Sequence, residues 1–173
     1  MIISSWNIRG LNCSLKQKEI SRFISHNQID VIGIIETKVR MPNQVKILNN
    51  FMPQWKFVTN SEPHAVDRIW VGWNPNKVSL NVRICNSQII HTIISSIDQS
   101  VSFEASFIYG SNLILDRRVL WREMRLIAAS SYNNPWICLG DFNVVLLSQE
   151  IFGGIKGGIG EPKSLLTSSS LHV

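Results

Sequence analysis

Apolar and polar residues in the N-terminal part of the chain change from one regular pattern to another. Residues 2–6 form a short apolar stretch that is typical of a strand, and residues 14–27 repeat apolar positions at helical spacing. Residues 29–38, IDVIGIIETK, form a nearly continuous apolar run, which indicates a strand buried on both faces. This order predicts a parallel β-α-β unit, and Ser14 with Gln17 predicts a capping box at the start of the helix.

The middle of the chain, residues 54–110, consists of short segments rich in β-branched and aromatic residues. Turn-forming residues such as Asn74-Pro75-Asn76 separate these segments from one another. The segments are QWKFVTN, RIWVGWNP, KVSLNVRIC, IIHTIISSI and SVSFEASFIYG. Together they predict an antiparallel meander.

The first pattern returns in the last third of the chain. A strand with the sequence FEASFIYGSN precedes a helical pattern over residues 116–131, for which Asp116 is the predicted N-cap. The following strand, WICLGDFN, leads into Asp141, just as the first buried strand leads into Glu36. Because strand, helix, strand and carboxylate occur twice in this order, we predict an α/β sandwich with two related halves.

The composition supports one folded domain, because 45% of the 173 residues are hydrophobic and only 17% are charged. We predict that this domain covers residues 1–150 and that the Gly/Ser-rich residues 151–173 form an irregular tail. No apolar run reaches the roughly 18 residues of a membrane helix, and no signal-peptide pattern is present. We therefore expect an intracellular protein without a membrane partner.

Net charge is the compositional feature that indicates a partner. The formal charge of +5 and the pI of about 9.4 suit a polyanion such as nucleic acid, although no Lys/Arg block is present. The three cysteines lack zinc-binding spacing, and the four histidines are scattered without a partner that the sequence indicates. A nucleophilic site of the Ser-His or Cys-His kind is therefore poorly supported.

Polar side chains follow four of the predicted strands, at the ends where the sites of α/β sheets gather. They are Asn7, Glu36, Tyr109 with Asn112, and Asp141 with Asn143. Carboxylate and amide oxygens favour Mg²⁺ or Mn²⁺ over zinc, and a second carboxylate can orient an attacking water. The set therefore suits hydrolysis of a phosphate ester. An ion pair with Lys38 is the alternative for Glu36, and a turn cap is the alternative for Asp141.

Five motifs in this chain, in their order and spacing, resemble the endonuclease/exonuclease/phosphatase superfamily. They are WNIRGLN, IIETK, GWNP, IYGSN and WICLGDFN. They look most like the apurinic-type endonuclease domain that begins the polyproteins of plant LINE-type (non-LTR) retrotransposons, and the resemblance covers about residues 1–155. It implies a four-layer α/β sandwich of two mixed sheets flanked by helices, a DNA partner, a nuclear location and no obligate protein partner.

The resemblance also implies how the metal and the substrate are held. Glu36 matches the principal Mg²⁺ ligand of the family, and Asn7 matches the amide of the first strand that helps to hold the metal site. Asn112 matches a polar residue in the substrate-binding loop. The implied activity is nicking of target DNA, so that reverse transcription can be primed at the nick.

Three further residues match catalytic positions of the family. Tyr109 matches the tyrosine that contacts the scissile phosphate, Asp141 the acid that orients or activates the water, and Asn143 the amide that steadies the transition state. The family pattern continues with a TWSN-like motif and a final serine-aspartate-histidine stretch, which this sequence does not contain. His172 has no preceding aspartate and does not match that histidine. We therefore expect a C-terminally truncated copy whose hydrolysis is weak or absent.

Two alternative functions remain open from the sequence. The chain is a non-catalytic relic that binds nucleic acid through its basic charge, in which case binding depends on salt. Alternatively it hydrolyses a small phosphate ester, as other members of the superfamily do.

Overall fold

The computed structural model describes residues 1–60 and 67–144. The elements are β1 (Ile3–Asn7), α1 (Ser14–His26), β2 (Val31–Ile35), α2 (Met41–Phe51), β3 (Lys56–Thr59), β4 (Ile69–Trp73), β5 (Val78–Cys85), β6 (Ile89–Ser96), β7 (Ser102–Tyr109), α3 (Ile114–Ser130) and β8 (Trp136–Asp141). The predicted tail and the end of the predicted domain lie outside the described residues. Within those residues, no helix is long and apolar enough to cross a membrane.

The strands form two four-stranded mixed sheets. The order is β1-β2-β4-β3 in the first sheet and β5-β6-β7-β8 in the second. Strands β1 and β2 are parallel, as are β7 and β8, and the other neighbours are antiparallel. Both predicted β-α-β units are therefore confirmed, one through α1 and one through α3.

The predicted meander is correct in its antiparallel pairing but wrong as a single sheet. Strands β3 and β4 belong to the first sheet, where β4 pairs with β2, whereas β5 to β7 belong to the second. The turn at Asn74–Lys77 carries the chain from one sheet to the other, and the Asn74 backbone N–H donates to the Asp30 carbonyl at 3.0 Å. Strand β4 is buried on both faces, so its apolar residues suit a place in the first sheet or in the second. The sequence pattern therefore does not show which sheet β4 joins.

Three apolar clusters separate four layers, which confirms the predicted α/β sandwich. Helices α1 and α2 cover the outer face of the first sheet, and α3 covers the outer face of the second. The central cluster packs the two sheets against each other and includes Val31, Ile35, Val71, Ile90 and Phe107. The sheets approach so closely that a Cβ on Gly33 would lie 2.2 Å from the Phe107 ring.

The starts of the helices differ from the predicted caps. Helix α1 begins at Ser14 and its N-cap is Cys13, which makes no side-chain cap hydrogen bond. The predicted capping box is therefore wrong, because the Gln17 side chain instead donates to the Leu11 carbonyl at 2.9 Å. Asp116 likewise is not an N-cap. It lies inside the first turn of α3, where a carboxylate interacts favourably with the helix dipole.

Helix α2 was not predicted from the sequence. Its buried residues Ile47 and Phe51 are four positions apart, and Pro42 lies in its first turn, where the missing N–H is tolerated. These features are typical of a helix, but the segment is short and asparagines interrupt its apolar pattern. The helix completes the cover over the first sheet and contributes no residue to the strand ends described next.

Candidate functional site

The carboxyl ends of β1, β2, β7 and β8 meet at one end of the sandwich. Parallel pairing places Asn7 opposite Ile35, directly before Glu36, and places Tyr109 opposite Asp141. The Asn7 side-chain amide donates to Asp141 Oδ2 at 2.8 Å, which joins the first sheet to the second. The structure therefore brings these polar strand ends together, as their pattern in the sequence predicted.

Asp141 uses its two carboxylate oxygens differently. Oδ1 accepts a hydrogen bond from the Asn143 backbone N–H at 2.9 Å and caps a tight turn. The turn-cap alternative therefore holds for this one oxygen. Oδ2 accepts from the Asn7 amide in a cleft of about 820 Å³ that Arg9 also lines. One oxygen thus holds the turn, and the other lies in the cleft.

The turn after β8 is also fixed from the neighbouring strand. The Asn143 Nδ2 group donates to the Gly110 carbonyl at 2.6 Å, and the Gly110 N–H donates to the Asp141 carbonyl at 2.8 Å. Asn143 keeps one side-chain N–H that these contacts do not use, since an amide nitrogen carries two donors. The turn therefore holds Asp141 and Asn143 in fixed relative positions.

Gly140 allows Asp141 to adopt this position. Its φ of +137° lies in a region that side-chain-bearing residues rarely adopt, and a Cβ there would lie 2.0 Å from the Ile108 carbonyl oxygen. Glycine avoids both the strain and the collision. The backbone before the carboxylate can therefore pass close to β7.

Glu36 lies on a strained turn that is joined to β4. Its φ is +59°, and its backbone N–H donates to the Arg68 carbonyl at 2.6 Å. Its carboxylate pairs with Lys38 Nζ at 2.6 Å, which is the alternative that the sequence left open. A left-handed backbone at a bulky residue costs on the order of 1–3 kcal/mol and persists where surrounding contacts enforce it.

Left-handed backbone is concentrated around this end of the sandwich. Six non-glycine residues in the described ranges have positive φ, and four of them are Arg9, Glu36, Lys38 and Asn143. Such conformations cluster at active sites and ligand clamps. The concentration therefore supports this cleft as the functional end of the molecule.

The Glu36 carboxyl is held in its ionised form. Partial burial opposes ionisation, but hydrogen bonding and charge from Lys38, with smaller contributions from Asn7 and Arg9, outweigh it. The pKa of Glu36 therefore lies below its ordinary value. The Glu36 carboxylate is therefore available as an anionic ligand at neutral pH.

Tyr109 and Asn112 lie in a second groove beside the cleft. Tyr109 is largely buried in the central cluster, and the Arg68 guanidinium carbon lies 5.4 Å from the centre of its ring. Asn112 is exposed on the far side of this groove, whose volume is about 620 Å³. The structure therefore separates Asn112 from the carboxylates, whereas Tyr109 lies next to Asp141 in the sheet.

Arg68 is a residue that sequence analysis missed. It directly precedes β4, which runs antiparallel to β2, so the start of β4 meets the end of β2 beside Glu36. Arg68 lies at the amino end of its strand, whereas the polar residues predicted for the site follow the carboxyl ends of theirs. The RIWVGWNP motif would have indicated Arg68 if the antiparallel pairing of its strand had been known.

The donor set of the cleft fits a hard divalent cation. Glu36 and Asp141 supply carboxylate oxygens and Asn7 supplies an amide oxygen. Cys138 also lines the cleft, but burial raises the pKa of its thiol to about 11, so it is not a thiolate ligand at neutral pH. Mg²⁺ is commonly bound through one or two carboxylates and completes its shell with water and phosphate. No group of three or more His, Cys, Asp or Glu residues in the described ranges forms a denser site. The residues present therefore fit Mg²⁺ or Mn²⁺ rather than zinc.

One buried cluster resembles a hydrolytic triad in its bonding. His91 Nδ1 lies 2.9 Å from Ser106 Oγ, and His91 Nε2 lies 3.2 Å from Glu104 Oε2, so this histidine has partners that the sequence did not indicate. Ser106 is fully buried, and the Trp136 indole N–H donates to its hydroxyl at 2.9 Å. No substrate reaches this serine, so the cluster is structural and does not support nucleophilic catalysis.

Sequence comparison agrees with the strand-end geometry. The model of the endonuclease/exonuclease/phosphatase family matches residues 4–159, which is most of the chain. The chain belongs to the endonuclease/exonuclease/phosphatase family. No curated protein sequence matches the chain.

Several solved structures share the fold at low identity. The endonuclease domain of TRAS1, a telomere-specific non-LTR retrotransposon, has a TM-score of 0.65 and 7% identity over 83% of this chain and 61% of that chain. TDP2 of D. rerio, complexed with a single-strand DNA product, has a TM-score of 0.60 and 14% identity over 83% and 60%. The mannosyl-6-phosphatase Bt3783 of Bacteroides thetaiotaomicron VPI-5482 has a TM-score of 0.63 and 14% identity over 82% of this chain and 65% of that chain. The chain thus spans less than two thirds of these proteins, and such identities show the fold alone.

Proposed function

We propose that this chain is the DNA endonuclease domain of a plant LINE-type retrotransposon and cleaves phosphodiester bonds with Mg²⁺ or Mn²⁺. The observation that carries the proposal is the position of the Asn7 amide, which donates to Asp141 on the facing sheet and also interacts with the Glu36 carboxylate. The ordered motifs of the sequence support the retrotransposon origin, and a substrate in chromosomal DNA would place the protein in the nucleus.

In this proposal Glu36 and the Asn7 amide oxygen hold the metal ion. When bound, the ion offsets negative charge on the phosphate of the transition state. Lys38 competes with the ion for the Glu36 carboxylate, since its ammonium group lies 2.6 Å from Oε1. Lys38 is about half exposed, so moving it into solvent requires no rearrangement of the core.

The second sheet supplies the groups that act on water and phosphate. Asp141 Oδ2, oriented by the Asn7 amide, accepts a proton from the attacking water or aligns it. The unused Asn143 N–H donates to a phosphate oxygen, and the Tyr109 hydroxyl contacts the scissile phosphate. Loss of one preorganised donor of this kind typically lowers the rate by about 10²–10³-fold.

DNA is the substrate that fits the charge of the chain. The formal charge of +5 favours a polyanion, and Arg9 lines the cleft itself. Two proteins of the same fold are described as a retrotransposon endonuclease domain and as a complex with single-strand DNA. A mannosyl-6-phosphatase shares the same fold, so it is the charge of the chain and its sequence motifs that favour a nucleic-acid substrate over a small phosphate ester.

We further propose that the 173-residue chain cleaves DNA weakly. The two histidines in the described ranges are His26, at the end of α1, and His91, which is buried beneath α3. Neither of these two lies in the cleft, so within the described ranges no imidazole is beside the carboxylates. The proposal also rests on the sequence, which does not contain the final serine-aspartate-histidine stretch that the family resemblance implies.

Nicking of supercoiled plasmid tests the proposal. We expect slow nicking that requires Mg²⁺ and is lost in both Glu36→Gln and Asp141→Asn. The matched control is Glu19→Gln, which removes an exposed carboxylate on α1 and should nick like the wild type. Nicking that survives both site substitutions would overturn the proposal.

Two other outcomes identify the alternative functions. Salt-sensitive DNA binding without nicking would support a non-catalytic relic, because phosphate contacts release counterions. Turnover of a soluble phosphomonoester, with plasmid DNA left intact, would support a small-molecule phosphatase.

A further inference from the structure

The groove beside Tyr109 has the size and chemistry of a nucleotide subsite. Its volume of about 620 Å³ falls within the range of roughly 300–1,000 Å³ that is usual for ligand pockets. Its lining comprises Arg68, Ser87, Gln88, Tyr109, Ser111, Asn112, Asp116 and Val119. The groove adjoins the cleft because Tyr109 lies opposite Asp141 in the sheet.

Arg68 is a cation that the described part of the protein leaves without an acidic partner. Its guanidinium lies over the Tyr109 ring at 5.4 Å, and none of the ion pairs in the described ranges includes it. Its backbone is fixed, since its carbonyl accepts from Glu36 N–H at 2.6 Å and its N–H donates to Asn60 Oδ1 at 3.1 Å. The Arg68 side chain lines the groove from this fixed backbone position, and a phosphate there can accept two hydrogen bonds from the guanidinium.

The opposite wall of the groove is held by Gln88. Gln88 Oε1 accepts from the Ser111 N–H at 2.7 Å, and its Nε2 donates to the Asp116 carbonyl at 3.0 Å. The Gln88 carbonyl also accepts from the Tyr109 N–H at 3.0 Å. These bonds join β6, β7 and the start of α3, so the groove is already formed without a ligand.

Charge is distributed unevenly along the groove. Arg68 and Tyr109 form the end nearest Glu36, whereas Asp116 and the exposed Asn112 lie towards α3. A phosphate is favoured at the Arg68 end. At the other end the Asp116 carboxylate lies beside the Arg117 guanidinium, which donates to the Ser111 carbonyl at 2.5 Å, so that end has no net positive charge to attract a phosphate. The polar groups near α3 suit the hydroxyl and amine donors of a sugar or base.

We propose that this groove binds the nucleotide adjoining the scissile bond of a DNA strand, and that Arg68 contacts the phosphate of that nucleotide. The proposal rests on the proposed endonuclease function and adds the residue that sets the path of the strand. The Arg68 carbonyl holds the Glu36 turn, so one residue connects the binding of the strand to the position of the metal ligand.

Binding of a fluorescein-labelled single-stranded oligonucleotide tests the proposal in EDTA, where cleavage does not occur. Arg68→Ala should weaken binding about 10-fold. It should also reduce the slope of log Kd against log salt by about 0.7, the value for the loss of one phosphate contact on a single strand. Arg68→Lys should recover part of the affinity, which a purely structural role of Arg68 would not predict. The control Arg22→Ala removes the same charge from an exposed position on α1 and should bind like the wild type.

A neutral methylphosphonate at the adjoining phosphate locates the contact. This replacement should weaken binding to the wild type about 10-fold but should have little effect in Arg68→Ala. An equal effect in both proteins, or equal affinities of Arg68→Ala and Arg22→Ala, would overturn the proposal. If Glu36→Gln binds the oligonucleotide like the wild type but neither protein nicks plasmid, the result supports binding of a DNA strand in the groove and contradicts the endonuclease function.

Discussion

The Asn7 amide and the Asp141 carboxylate meet across the two sheets, with 2.8 Å between Nδ2 and Oδ2. The two residues are 134 positions apart in the sequence, so neither strand alone indicates the contact. The same Asn7 side chain accepts the Arg9 backbone N–H at 3.2 Å through Oδ1. Asn7 therefore connects the turn after β1 to the proposed water-orienting acid.

Asn7→Ala should destabilise the fold by about 1.5–3 kcal/mol, the usual range for a hydrogen bond to a charged group. In a double-mutant cycle with Asp141→Ala, the two effects should be non-additive, because each substitution breaks the same bond. Urea unfolding measures all four proteins. Asn27→Ala is the control, since the Asn27 side-chain amide donates to the Phe23 carbonyl of the helix that it follows, and it should be additive with Asp141→Ala. Additivity of Asn7→Ala would contradict the contact.

Lys38→Met should raise the affinity for Mg²⁺ by a few-fold. The Lys38 ammonium competes with the ion for the Glu36 carboxylate, and exposed ion pairs contribute only about 0.2–1 kcal/mol. Titration calorimetry with MgCl₂ measures the affinity directly, without relying on activity. Lys18→Met removes the same charge from an exposed position on α1 and controls for net charge. Equal affinities in the two variants would show that Lys38 does not compete.

Gly140→Ala should destabilise the protein more than Gly10→Ala. Both glycines have positive φ, so alanine at either position meets backbone strain of about 1–2 kcal/mol. Only Gly140 adds a collision, because its Cβ would lie 2.0 Å from the Ile108 carbonyl oxygen, whereas nothing lies within 4 Å of a Cβ on Gly10. Thermal unfolding of both variants separates the two effects. Equal losses would show that strain alone makes Gly140 necessary.

The sequence pattern alone predicted the site residues whose position follows from the strand that carries them. Buried apolar runs indicated the strands that lead into Glu36 and Asp141, and parallel pairing then brought their ends together. The left-handed backbone of Glu36 was not predictable, because the contact that enforces it comes from Arg68, directly before β4 and distant in the sequence. The position of Arg68 was not predictable for the same reason. Its place depends on which sheet β4 joins, and the apolar pattern of β4 suits either.

The buried cluster of His91 and Glu104 makes stability depend on pH. Burial lowers the pKa of His91 below its ordinary 6.5, and the charge of Arg83 adds to this effect, while Glu104 opposes it. The neutral imidazole donates Nε2–H to Glu104 and accepts the Ser106 hydroxyl at Nδ1, which satisfies both ring nitrogens. Burial opposes ionisation of Glu104, but hydrogen bonds from Ser131 and Asn134 outweigh it, so its pKa lies below 4.5.

Both shifts make the unfolded chain bind more protons than the folded protein in acid. The free energy of unfolding should therefore fall as the pH decreases below about 6.5, and fall further below about 4.5, with a limiting slope of about 1.4 kcal/mol per pH unit for each proton. Urea unfolding at a series of pH values measures this dependence. His91→Gln should remove the decline between about pH 6.5 and 4.5, whereas His26→Gln, at an exposed position, should leave it unchanged. A decline that persists in His91→Gln would assign the pH dependence to other groups.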